Sequence, residues 1–153
     1  MTWLKREKGD ELIIKLAEFW ASRITYNQEK KRYEINNVLP PDEDATPYVK
    51  NSAYTNIIAA LSIYFSNYTK CLLRKEPLSS ESIKKARCLH IPIDSSRNIH
   101  LEYEGYVNAQ IKQGDVVLIG FPLMWKMNDS IMKNDLYFYE NLTRSTGPAM
   151  TWR

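Results

Sequence analysis

The chain has 153 residues, 44% hydrophobic and 25% charged, which is enough for one domain with its own core. Its formal net charge is only +3, and acids interrupt its lysines and arginines, so a nucleic-acid partner is not expected. The first residues reach charges at once, without the apolar stretch of a signal peptide, and no apolar run suits a membrane span. Two cysteines do not make a disulfide framework. These features predict a cytoplasmic protein without a membrane partner.

The first helix is predicted from about Asp10 to Thr25, with Asp10 as its N-cap. The segment from Lys31 to Leu39 is short and mixed, and its pattern allows either a hairpin arm or a loop. Pro40-Pro41 ends any regular element there. The apolar residues that recur at helical spacing in this first helix are Leu12, Ile13, Leu16, Phe19, Trp20 and Ile24.

The second helix, from Ser52 to Leu73, is the most strongly predicted element of the chain. It follows an acid-rich loop that opens at Asp42-Glu43-Asp44 and continues to about Lys50. Its apolar residues recur at three- and four-residue spacing, which predicts one buried stripe. The stripe consists of Ala53, Ile57, Ala60, Leu61, Tyr64, Phe65, Tyr68 and Leu72.

The second half of the chain predicts two further helices. One extends from Ser80 to Leu89, capped by Ser79 or Ser80, and one from Asp129 to Leu142. Residues 94–110 lack periodicity and predict a long structured loop, which is uncommon without a function. The apolar run from Gly114 to Phe121 is equally compatible with a buried strand and a buried helix.

Four short segments occur in an order that indicates a family. They are Glu18–Arg23 (EFWASR), Pro41-Asp42-Glu43 followed by Asn51–Asn56 (NSAYTN), Ile111–Val117 (IKQGDVV) and Gly147–Trp152 (GPAMTW). Each segment alone is unspecific. The ordered set covers nearly the whole chain and resembles glycoside hydrolase family 65, in particular its animal branch.

The resemblance implies a mainly α fold in which residues 1–153 form part of an (α/α)6 barrel with long loops. Complete members of the family also have a β-domain on each side of the barrel, and neither is expected here. A partial barrel exposes apolar helix faces. The missing remainder of the barrel is therefore an expected partner, alongside a carbohydrate substrate.

Glu43 is the candidate catalytic residue. Hydrolysis of a glycosidic bond needs one carboxylic acid to protonate the leaving oxygen and a second carboxylate, which in inverting enzymes activates water. The resemblance assigns the acid role to the glutamate of Pro-Asp-Glu, which is Glu43. Its neighbour Asp42 is expected to disfavour ionisation and keep Glu43 protonated. Relatives continue with Tyr-His where this chain has Asp44-Ala45. Without the resemblance, the three acids of this loop would indicate only a solvated surface loop.

Lys112 and Gln113 are the candidate substrate-binding residues, because they match the Lys-Gln pair with which the family contacts the glucosyl unit. Their donors and acceptors suit vicinal hydroxyls, although a solvent-facing polar pair beside an apolar run is the simpler alternative. Asn51 is predicted to be an N-cap rather than a ligand. Trp20 and Tyr54 are predicted to pack in the core.

Two functions remain open from the sequence. The first is a fragment of an inverting α-glucosidase that releases glucose from glucosyl-galactosyl-hydroxylysine or a related disaccharide. The second is a truncated, non-catalytic carbohydrate-binding or interaction protein, because the family's general base is expected beyond Arg153. Cysteine and histidine spacing follows no zinc pattern, so neither a metal nor a cofactor is expected. Family 65 contains both hydrolases and phosphorylases, and the animal resemblance favours hydrolysis.

Overall fold

The computed structural model describes residues 2–145, which form a predominantly helical protein. No helix within these residues is long and apolar enough to cross a membrane. Two small antiparallel sheets accompany the helices; one pairs β1 (Thr25–Asn27) with β2 (Arg32–Glu34), and the other pairs β3 (Ile93–Asp94) with β4 (Ile99–His100). The helices are α1 (Thr2–Arg6), α2 (Gly9–Arg23), α3 (Ala53–Leu72), α4 (Ser80–Arg87), α5 (Asp115–Gly120) and α6 (Asp129–Leu142).

The predicted helices are present, and α6 has the predicted bounds. The ambiguous apolar run is a helix, α5, and the segment after Lys31 is a hairpin arm, β2. The predicted loop of residues 94–110 is partly wrong, since it contains strand β4. Two-residue strands are too short to produce a detectable alternation of apolar and polar residues.

Two predicted helix caps are wrong. The N-cap of α2 is Lys8, in a left-handed conformation, and Asp10 lies in the first turn, where its carboxylate pairs with Lys75. At the start of α3 the cap is Ser52 and not the predicted Asn51. Ser52 Oγ accepts a hydrogen bond from Thr55 N at 3.3 Å, as an N-cap does. The α4 cap is as predicted, with Ser79 accepting from Ser82 N.

The chain divides into two compact units, and the first comprises residues 2–34 and 58–90. Its buried side chains include Ile13 and Ala17 of α2 and Ile63 of α3. The predicted stripes are wrong in part, because some of their large members are exposed. In α3 the side chains of Ala59, Ile63, Ser66 and Thr69, which the predicted stripe did not include, are buried. The exposed members of the two stripes are Leu12, Leu16, Phe19, Phe65, Tyr68 and Leu72.

The second unit comprises residues 35–57 and 91–145. Its core includes Tyr139 of α6, which is fully buried and donates its hydroxyl to His100 O at 2.9 Å. His100 Nδ1 and Asp135 Oδ2 are 2.8 Å apart, and both side chains are buried. Strand β4 is thereby fixed to α6 by hydrogen bonds through the interior of this unit. The buried aliphatic residues around them include Ile35, Ile99, Ile111, Val116 and Ile119.

Candidate functional site

The acidic loop is closed at its base by a two-residue bridge in the second unit. Val38 and Val49 exchange backbone hydrogen bonds of 3.0 and 2.9 Å, so the ten residues between them form a loop with fixed ends. Pro40 and Pro41 begin it, and their fixed φ angles favour an extended path. This local geometry presents Glu43 with its side chain 66% exposed.

All three predicted site residues meet at this loop. Lys112 Nζ forms an ion pair with Glu43 Oε2, and Gln113 Nε2 donates a hydrogen bond to Pro41 O. Glu43 is about seventy positions in sequence from Lys112 and Gln113, so only the fold brings it to them. A carboxyl group and two hydrogen-bonding side chains are therefore available on one surface.

The expected protonation of Glu43 is not what this arrangement favours. The Lys112 ammonium, through its hydrogen bond and its charge, lowers the pKa of the Glu43 carboxyl. The prediction failed because Asp42 faces inward, with 2% of its surface exposed, while Glu43 faces Lys112. Asp44, the third acid of the loop, pairs with Arg144 at 2.7 Å.

Asp42 and Asp115 are a pair of buried carboxyl groups, each bound to a backbone N–H of the other's segment, an arrangement that sequence reasoning missed. Asp42 Oδ1 accepts a hydrogen bond from Lys112 N at 2.9 Å, and Asp115 Oδ2 accepts one from Asp42 N at 2.9 Å. Asp115 is 1% exposed, at the start of α5. A sequence signal did exist, because an acid directly before the apolar run of α5 is placed to point into the interior.

Glu102 lies close enough to this pair to interact electrostatically, and it was also missed. It is 1% exposed, and neither carboxyl oxygen has a hydrogen-bond partner among the described residues. Burial, followed by the charges of Asp115 and Asp42, raises the pKa of Glu102 well above its ordinary value. Burial likewise raises the pKa of Asp115 to about 7 and that of Asp42 above its ordinary range. Burial and the two neighbouring carboxylates therefore favour the protonated form of Glu102.

The predictions for Asn51 and Ala45 have different outcomes. Asn51 is buried and does not cap α3; its Oδ1 accepts from Ile35 N at 3.2 Å and its Nδ2 donates to Glu104 at 2.7 Å. Ala45, at a departure from the family pattern, is 4% exposed. The small residue at this position faces the interior and adds no wall to the site. Trp20 and Tyr54, predicted to be core residues, are only partly buried.

A groove that begins beside Gln113 does not contain the acid. A groove of about 370 Å³ is lined by Gly114, Val117 and several residues of α6, among them Tyr137. It begins one residue after Gln113, but neither Glu43 nor Lys112 lines it. In residues 2–145, no group of three or more His, Cys, Asp or Glu side chains is placed to hold a metal ion.

The sequence profile of the glycosyl hydrolase family 65 central catalytic domain matches residues 2–111. The chain belongs to glycoside hydrolase family 65. The predicted acid Glu43 and the Asn51–Asn56 motif lie inside the matched range. The predicted sugar contacts Lys112 and Gln113 follow directly after it. The last predicted motif, Gly147–Trp152, lies outside the described residues.

Similar proteins extend this assignment over most of the chain. A protein-glucosylgalactosylhydroxylysine glucosidase from Gallus gallus is 40% identical over 151 residues, which are 97% of this chain and 21% of the relative. The enzyme of the same name from Dictyostelium discoideum is 43% identical over 146 residues, 94% of this chain and 20% of the relative. The chain thus spans about a fifth of the length of these relatives.

A solved structure supports the fold. A protein from the human microbiome, described as a kojibiose phosphorylase, superimposes with a TM-score of 0.73 and 19% identity. The match covers 90% of this chain and 26% of that protein. The helical arrangement of the chain is therefore also present in that solved structure.

Proposed function

We propose that this protein supplies the acid-bearing part of an inverting α-glucosidase. In this proposal its helices form part of an (α/α)6 barrel, and the substrate is glucosyl-galactosyl-hydroxylysine or a related α-glucoside. Identity of 40% and 43% to two glucosidases named for that substrate supports the choice. The observation that carries the proposal is the meeting of Glu43, Lys112 and Gln113 at one loop.

Glu43 is the proposed general acid, which protonates the glycosidic oxygen as the bond breaks. Lys112 holds Glu43 ionised while no sugar is bound, because its ammonium lowers the pKa of that carboxyl. A glucosyl unit that takes hydrogen bonds from Lys112 would separate the ammonium from Glu43. The pKa of Glu43 would then rise, and the carboxyl could take up the proton that it delivers. Sugar binding and acid activation are thereby coupled through one lysine.

Gln113 is the proposed second sugar contact, since an amide both donates to and accepts from hydroxyl groups. Its present bond to Pro41 O can be exchanged for one to a substrate hydroxyl. The second carboxylate needed for inversion is, by the family resemblance, outside residues 1–153. The proposal assigns this chain only the acid and the two sugar contacts.

The test is glucose release from glucosyl-galactosyl-hydroxylysine by this chain joined to the segment that carries the second carboxylate, as wild type and as the Glu43→Gln variant. General-acid catalysis typically contributes about 100- to 10,000-fold, so the variant should lose activity by a factor in that range. Glu140→Gln, the same chemical change at an exposed position of α6, is the matched control and should keep wild-type activity. Equal rates for Glu43→Gln and wild type would overturn the role of Glu43.

A second candidate function is carbohydrate binding without catalysis. The ion pair of Glu43 with Lys112 favours it, because an acid held ionised is a poor proton donor. Titration of 15N-labelled protein with glucose separates the two candidates. Shifts of the Lys112 and Gln113 signals without glucose release would support the binding function over the enzyme.

A further inference from the structure

The connection between the acidic loop and the segment that follows Ile111 includes two buried carboxyl groups that accept hydrogen bonds from backbone N–H groups. Asp42, directly before Glu43, accepts from the backbone N–H of Lys112 at 2.9 Å. Asp115, two residues after Gln113, accepts from the backbone N–H of Asp42 at 2.9 Å. Each segment therefore supplies one carboxylate and one N–H to the other.

This reciprocal arrangement differs from an ordinary surface ion pair. Both carboxylates are almost completely buried, with exposed fractions of 2% and 1%. Hydrogen bonds to an ionised acceptor are shorter and stronger than those to a neutral one, and burial makes the loss of either kind costly. Asp42 Oδ1 additionally accepts from Asp44 N at 3.4 Å, so it binds the backbone directly after Glu43 as well as that of Lys112. The path of the acidic loop is thus defined relative to residue 112.

We propose that Asp42 and Asp115 are positioning residues, which set the separation of the Glu43 carboxyl from the Lys112 and Gln113 side chains. The effect of this positioning on catalysis rests on the function proposed above, whereas its effect on the separation of the three side chains does not. Loss of the Asp115 acceptor should release the loop and weaken the Glu43–Lys112 pair, although neither of those side chains is altered. A weaker interaction between two side chains that are themselves unaltered distinguishes a positioning role from a general effect on stability.

The test is a carboxyl-carbon NMR titration that measures the pKa of Glu43, with amide hydrogen exchange at Asp42 as a second readout. In Asp115→Ala, the pKa of Glu43 should rise toward its value in Lys112→Met, and the Asp42 amide should exchange about tenfold faster, as expected when one hydrogen bond is lost. In Asp115→Asn the amide oxygen still accepts from Asp42 N, so both readouts should remain near wild type. An unchanged Glu43 pKa in Asp115→Ala, or equal effects of Ala and Asn, would overturn the proposal.

Asp135→Ala is the matched structural control. Asp135 is another buried carboxylate of the same unit, but its bonds go to His100. This variant should lose stability while the pKa of Glu43 stays at its wild-type value. If Asp115→Ala does not fold, amide exchange in the wild type still tests the two backbone hydrogen bonds on which the proposal depends. Asp42 and Lys112 amides that exchange at the rate of an unfolded chain would contradict the two hydrogen bonds.

The kinetic readout separates this proposal from the function itself. If Glu43→Gln is inactive, the released loop in Asp115→Ala should lower kcat, with Asp115→Asn restoring most of it. If Glu43→Gln is fully active, the proposed function fails, and the NMR arms still test the geometry because they need no substrate. A Glu43 pKa and Asp42 amide that respond to Asp115 in that case would support the positioning role alone.

Discussion

Substitution of Glu102 by Gln should change how the stability of the protein depends on pH. Glu102 is 1% exposed, its carboxyl has no hydrogen-bond partner among the described residues, and its pKa is raised well above the ordinary value. In the unfolded chain a glutamate titrates near pH 4.3. Between that pH and its raised folded-state pKa, the folded protein binds one more proton at this side chain than the unfolded protein does.

The magnitude follows from this one-proton difference. The stability linked to Glu102 is fully present below pH 4 and is lost as the pH rises, at about 1.4 kcal/mol per pH unit. The loss ends only at the raised folded-state pKa of Glu102, so the wild type should become steadily less stable through this residue as the pH rises from 5. Glutamine does not titrate, so the variant lacks this pH-dependent contribution. The variant should be less stable relative to wild type at pH 5 than at pH 7.

The assay is urea denaturation at half-unit steps from pH 5 to pH 7.5, followed by tryptophan fluorescence. The free energy of unfolding in water is plotted against pH for wild type, Glu102→Gln and Glu140→Gln. The first variant should give the flatter curve, and the exposed control should parallel the wild type. If Glu102→Gln also paralleled the wild type, the carboxyl would be ionised at neutral pH, and the explanation of the acidic cluster given above would be wrong.

Two further predictions test packing and capping, with unfolding free energies as the measurement. Ile63→Ala should cost about 2–5 kcal/mol because it empties a buried site of α3, whereas Phe65→Ala should cost well under half of that because the ring is 56% exposed; equal costs would restore the stripe predicted from sequence. Ser79→Ala should cost about 0.5–2 kcal/mol through loss of the α4 cap. Ser80→Ala, one position into the helix, should leave the free energy of unfolding nearly unchanged. A larger loss of stability there than in Ser79→Ala would show that Ser80 is the cap.

Helix positions could be predicted because the apolar spacing of α3 and α6 is local information. The buried face of α3 could not, since Ile63 and Phe65 are equally apolar and only tertiary contacts decide which one points inward. Phe65 matched the predicted stripe, yet it is exposed and Ile63 is buried. The period of a hydrophobic pattern predicts a helix with more certainty than it predicts the orientation of that helix.

The members of the candidate site could be predicted only through family resemblance, and their electrostatics could not. Neighbouring positions suggested that Asp42 acts on the Glu43 carboxyl, but consecutive residues in an irregular loop can face opposite ways. Asp42 turns inward, and Lys112, about seventy residues away, determines the direction of the Glu43 pKa instead. Asp115 and Glu102 escaped notice because acids are rarely buried, so composition favours a solvated interpretation.

The reciprocal bonds of Asp42 and Asp115 have a consequence for engineering. One of the two bonds ends on the main chain of residue 112, and the other on the main chain of Asp42 itself. Neither depends on which side chain residue 43, 112 or 113 carries. The side chains proposed to contact a sugar can thus be substituted while the two backbone hydrogen bonds that position the loop are kept. Libraries that vary positions 112 and 113 and leave both aspartates intact should retain folded members, and they offer a route to altered sugar preference.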